Sequence, residues 1–159
     1  MLLIIIIAIL CCYMWIMGKL KTAQTFTIIQ LDVNKLTDSL ILEKNPILIT
    51  SKIVDANDVI KTNFKYLYMF KTEIENIQSI YKIHYQYLVI HNNCSYVSEL
   101  LLEHPKNKRV SEIMVKLYPY NILIIPMFWK IKINKKIKGI KCYGLDSPFS
   151  YCLRFFAGA

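Results

Sequence analysis

The chain has 159 residues, enough for one domain of ordinary size. Hydrophobic residues make up 55% and charged residues 19%, an apolar lean, while 4 Gly and 5 Pro exclude long disordered linkers. The formal charge of +9 suits anionic partners such as phosphates or lipid headgroups.

The run from Leu2 to Met17 carries no charge. A spanning helix needs about 17–25 apolar residues, so this run is short, and Gly18 and Leu20 extend it if Lys19 snorkels. Tyr13 and Trp15 lie near its end, where interfacial aromatics are expected. Nothing basic precedes it, and Ala23 follows Lys21 and Thr22, a poor cleavage context for a signal peptide. The expectation is a single-pass anchor and short juxtamembrane segment over residues 1–24, with the lipid bilayer as partner. Lys19 and Lys21 follow the span and no lysine precedes it, which places the following domain, residues 25–159, in the cytosol. Cys94, Cys142 and Cys152 form an odd set without disulfide spacing, in agreement with that side. Asn93-Cys94-Ser95, a formal glycosylation triplet, argues the other way. Cys11 and Cys12 read as packed thiols, with palmitoylation as the alternative.

Short β-branched Thr25–Leu31 reads as a strand. A short helix follows, with Asn34 or Thr37 as cap. Pro46 opens a second strand, at the one strand position where proline is tolerated. Asp55 and Asn57 are good caps for a helix that carries Val59, Ile60 and Phe64 at helical spacing. Tyr66 to Lys71 is a strand candidate, and Thr72 to Tyr85 is a helix or an irregular connection. Tyr87–His91 has the composition of a buried strand, and Tyr96–Pro105 is ambiguous. Ser111–Tyr118, Asn121–Ile125 and Phe128–Ile133 read as successive strands, the first two joined by a tight turn at Pro119-Tyr120-Asn121. Ile140–Gly144 closes the set. The sum is an α+β, mainly β domain of short antiparallel strands.

Lys130, Lys132, Lys135, Lys136, Lys138 and Lys141 lie close together with no acidic residue among them. They form a candidate patch for anionic lipid headgroups, and edge protection of a solvated hairpin is the competing reading. His84, His91 and His104 show no ligand spacing, and scattered glycines make no phosphate loop. Cys94 near His91 lacks a third orienting group. Tyr66, Tyr68, Phe70, Tyr81, Tyr85 and Tyr87 are aromatic-rich, but they are not interleaved with lysines as a stacking platform, which argues against nucleic acid.

The stretch Leu117–Ile133, with Pro126 ending one strand and Trp129 following, is similar to the late strands of cupin-like domains of the JmjC and asparaginyl-hydroxylase type. Lys44–Asp55 is similar to the early proline-led strand of that family. The resemblance covers two short stretches. It implies a partial cupin-like barrel or sandwich, here preceded by the one N-terminal transmembrane helix expected from Leu2 to Met17. It also implies an iron site of two histidines and a carboxylate. The last histidine is expected just after the tryptophan, where Lys130, Ile131 and Lys132 stand. The first pair should read His, any residue, then Asp or Glu. His84, His91 and His104 are followed two residues on by Gln86, Asn93 and Lys106. The resemblance therefore implies a lost metal site, with no cofactor and with Pro126 and Trp129 kept for packing. The chain also resembles the short, singly anchored proteins of large DNA viruses, which implies a viral membrane. The expected function is a membrane-anchored, non-catalytic structural or scaffolding protein with a protein partner. The alternatives are a cupin-like hydroxylase with atypical ligands, or a binding module for anionic lipid or nucleic acid.

Overall fold

The computed structural model describes residues 3–7, 11, 27–50, 54–65, 67–75, 80–105, 112–133, 139–148 and 150–152. Strand β1 (Ile29–Leu31) is followed by a 3-10 turn at Val33–Lys35, helix α1 (Asp38–Leu42) and β2 (Ile47–Ile49). Helix α2 (Ala56–Asn63) leads to β3 (Phe70–Ile74), β4 (Ile80–Lys82), β5 (Tyr87–Asn92) and β6 (Ser98–Glu103). Strands β7 (Glu112–Leu117), β8 (Ile122–Pro126), β9 (Lys130–Ile133) and β10 (Ile140–Asp146) follow. The protein is α+β and mainly β.

Two sheets form. The larger has the order β1-β2-β8-β5-β10-β3 and the smaller β4-β9-β6-β7. All pairs are antiparallel except β1–β2, which is parallel. The expected all-antiparallel set is corrected at that pair. The 3-10 turn and α1 carry the chain back to the end where β1 began, and a parallel neighbour needs such a crossover.

The larger sheet is covered on both faces. Ala56, Val59, Ile60 and Phe64 recur on one side of α2 and pack with Ile41, Ile49, Val89, Ile124 and Leu145 on the outer face. Asp55 caps α2 by accepting from the Asn57 N–H at 3.3 Å. The inner face packs against the smaller sheet through Leu88, Ile90, Leu123 and Ile125, which meet Leu100, Leu102, Trp129 and Ile131. Burial on both faces explains why β5 and β8 are continuous apolar runs without alternation. The smaller sheet has one buried face, so β6 and β7 alternate.

Two local expectations change. The segment Thr72 to Tyr85 supplies strand at both ends, the second half of β3 and all of β4, with residues 76–79 outside the described set. Pairing of β3 with β10 and of β4 with β9 overrides the weak local preference. The turn at Pro119 and Tyr120 does not close a hairpin, because β7 lies in the smaller sheet and β8 in the larger. Tyr120, at φ 65°, redirects the chain between sheets, and its N–H donates to the Asn92 carbonyl at 2.8 Å.

Residues 3–7 are helical and exposed. No helix among the described residues is long and apolar enough to cross a membrane. The rest of the expected anchor lies outside the described residues, apart from Cys11.

Candidate functional site

Pro126 and Trp129 sit at the corner where β8 leaves the larger sheet and β9 enters the smaller. Pro126 ends β8 opposite Tyr87. Phe128 takes φ 75° and reverses the chain, a conformation uncommon outside glycine. Residues after β4 make the same passage in the opposite direction, and the two crossings are tied together. The N–H groups of Met127 and Phe128 donate to the carbonyls of Gln86 and Ile83 at 3.1 and 2.9 Å. The Ile83 N–H returns a bond to the Trp129 carbonyl at 2.9 Å. The corner thus turns Trp129 into the space between the sheets, where it is fully buried. His104 meets its ring edge-on at 5.0 Å.

That space is filled. Ile131, in the strand where the resembled enzymes carry their last histidine, is wholly buried beside Leu100 and Leu102. Tyr85, the middle residue of His84-Tyr85-Gln86, packs into the same core. Its ring lies so close to Gly144 that a Cβ there would come within 2.3 Å of it. Burial pushes the Cys142 thiol up to about 12, which leaves it a neutral core group. Among the described residues, no three His, Cys, Asp or Glu side chains converge as a metal-holding group.

The candidate lysines are divided. Lys130 and Lys132 alternate with buried Ile131 and lie on the outer face of the smaller sheet. Lys130 pairs with Glu103 at 2.9 Å, and Lys132 pairs with Glu112. The hydrogen bond from Lys130 holds the Glu103 carboxyl below its ordinary range. Lys141 is exposed on β10, on the helix-covered side of the larger sheet, opposite His91. Lys135, Lys136 and Lys138 lie outside the described residues. Sequence proximity brought six lysines together, whereas the fold sends Lys141 to the far side from Lys130 and Lys132.

His91 is a polar group that spacing did not single out. It is buried, and neither ring nitrogen has a hydrogen-bond partner. Its Nδ1 lies 3.8 Å from the Asp55 carboxylate. Burial pushes its pKa below the ordinary histidine value, with Lys141 adding to that and Asp55 opposing it. Burial raises the Asp55 carboxyl, but hydrogen bonds from Asn57 and the charges of His91 and Lys141 bring it lower on balance.

A cleft of about 380 Å³ opens between β7 and the strands β1 and β2. Ile28, Gln30, Leu48 and Thr50 line one side, and Met114, Val115 and Lys116 the other. The alternation of Glu112, Met114 and Lys116 was visible as a strand signal. That the cleft exists depends on six strands facing four, which no local pattern encodes.

No family model, curated protein or solved structure matches this chain. The functional reading therefore stands on the residues and geometry above.

Proposed function

We propose that the chain is a membrane-tethered domain of the cupin-like class that holds a partner and performs no catalysis. The observation that carries this reading is the filled space between the sheets. Metal ligands of the resembled hydroxylases face that space. In this chain Ile131, Trp129, Leu100 and Leu102 occupy it, and Tyr85 points into it from between His84 and Gln86. The strand order also supports the class. The set β8-β5-β10-β3 faces β4-β9-β6-β7 in the arrangement of an eight-stranded jelly roll, with β1 and β2 added at one edge. The tether rests on the uncharged run Leu2 to Met17 and on Lys19 and Lys21. A viral membrane is the setting that the resemblance to singly anchored viral proteins suggests.

Anionic headgroups are the proposed secondary contact, through the lysines between β9 and β10. Each lysine near an anionic surface contributes about 1 kcal/mol, and Lys130 and Lys132 are already neutralised by Glu103 and Glu112. Full-length chain purified from cells grown with iron should carry far less than one iron per chain. It should remain in the pellet after carbonate washing. One iron per chain, lost on His84→Ala, would overturn the lost metal site and favour the hydroxylase alternative. Replacing Lys135, Lys136 and Lys138 by Gln should weaken low-salt binding of a chain lacking residues 1–24 to anionic vesicles. Replacing Lys130 and Lys132 should weaken it less, and equal effects of the two sets would overturn the assignment to the loop.

A further inference from the structure

The two sheets do not match in width. β1 and β2 extend the larger sheet beyond β8, while the smaller sheet stops at β7. Leu48 and Ile28 belong to the layer between the sheets, yet they lie where the smaller sheet has run out and line the cleft. Among the described residues β7 pairs with β6 alone, and its residues Met114, Val115 and Lys116 line the cleft on the other side. An edge strand offers a row of open N–H and C=O groups to another extended chain. Met114 and Tyr118 at this edge are each 54% exposed.

We propose that the cleft binds an extended peptide segment of a partner protein, added to β7 as a fifth strand of the smaller sheet. The mode is β-strand addition, in which backbone hydrogen bonds give affinity and alternate side chains give specificity. Inward side chains of the peptide are apolar and cover Ile28 and Leu48. Outward ones continue the face that carries Glu112, Met114 and Lys116. Lys116 is exposed and forms no ion pair among the described residues, and Glu99 lies opposite it on β6. An acidic residue on the added strand completes that row from the other side.

The geometry favours this occupant over two others. A second copy would bring its own β1 and β2 into the space that the first copy's overhang already fills. A lipid acyl chain would leave the β7 edge and the Gln30 amide facing hydrocarbon, which supplies no hydrogen bonds. The inference rests on the partner-holding reading, but not on the anchor or the cupin class.

The test is selection of a displayed library of random ten-residue peptides against the full-length chain in detergent micelles. Enriched peptides should alternate apolar and polar residues and carry an acidic residue on the polar face. A synthetic copy of the leading peptide should slow hydrogen exchange of the β7 amides. Lys116→Glu should weaken that peptide roughly tenfold and turn selection toward basic residues, because a cross-strand attraction becomes a repulsion. Met114→Arg should weaken it too, and both changes are at exposed positions that leave the core intact. No enrichment, binding indifferent to both variants, or unprotected β7 amides would overturn the proposal. So would a concentration-dependent dimer abolished by Met114→Arg, or a fatty acid retained by the chain and displacing the peptide. Iron content of the same preparation reads the non-catalytic proposal separately, so either can fail alone.

Discussion

The two faces of the larger sheet are built differently. The face toward the smaller sheet is closed by large apolar groups: Trp129, Leu100, Leu102, Ile131 and the ring of Tyr85 on Gly144. The face toward the helices mixes an apolar core with polar groups held inside it. Tyr87 accepts from Lys44 at 2.8 Å and donates to the Ile41 carbonyl at 3.2 Å, and His91 lies buried beside Asp55. In this chain the first face is mainly packing, with His104 against Trp129 and the neutral Cys142 thiol within it, and the second holds His91 buried beside Asp55. Substitutions on the first face should therefore act chiefly through volume, and those on the second through hydrogen bonding and protonation.

The largest effect is expected at Trp129. Loss of a fully buried tryptophan costs about 3–5 kcal/mol, through lost apolar transfer and the cavity left behind. Trp129→Ala should lower the denaturant midpoint by a corresponding amount without changing its pH dependence. A variant that melts like the parent would mean that the corner does not hold the ring between the sheets.

Tyr87→Phe should cost less. The ring stays in place against Phe64, 5.3 Å away, and only the hydroxyl is lost. Two hydrogen bonds go with it, to Lys44 and to Ile41. A typical intramolecular hydrogen bond contributes about 0.5–1.5 kcal/mol, and the Ile41 carbonyl keeps the Lys44 N–H at 3.4 Å. Urea unfolding of the variant checks this. A loss as large as that of Trp129→Ala would erase the contrast between the faces.

What was legible in the sequence follows the same division. β5 and β8 were readable because burial on both faces demands uninterrupted apolar residues. α2 was readable from its Asp55 cap and from the spacing of Val59, Ile60 and Phe64. β3 was readable only at its start, where Phe70 and Lys71 ended a strand candidate; the rest lies at an edge with exposed Thr72 and Glu73, and its strand character comes from pairing with β10. Trp129 could be named as a packing residue from its place after Pro126. The lysine group could not be resolved, because spacing along the chain does not say that β9 and β10 join different sheets. His91 was weighed only against metal-ligand spacing and against Cys94, and neither comparison points to Asp55. Its meaning depends on Asp55, thirty-six residues earlier in the chain, reaching it in space.

The smallest and most specific effect is expected at His91. Its folded pKa lies below the unfolded value of 6.5 because burial disfavours the charged ring. Above 6.5 both states are neutral and the histidine adds no pH dependence. As pH falls from 6.5 toward the lowered folded value, the unfolded chain takes up a proton that the folded chain refuses, so stability is lost. Asp55 gives a loss of the same sign, but it begins only near the ordinary carboxyl value of 3.8, so the two separate if measurements stay above about pH 5. His91→Gln should leave the unfolding midpoint at about pH 7.5 nearly unchanged and flatten its fall toward about pH 5. Direct titration of the His91 ring by nuclear magnetic resonance should give a midpoint below 6.5. A midpoint above 6.5 would mean that Asp55 outweighs burial and that the helix-covered face holds an ion pair. The slope would then reverse, with stability lost as pH rises through the folded value.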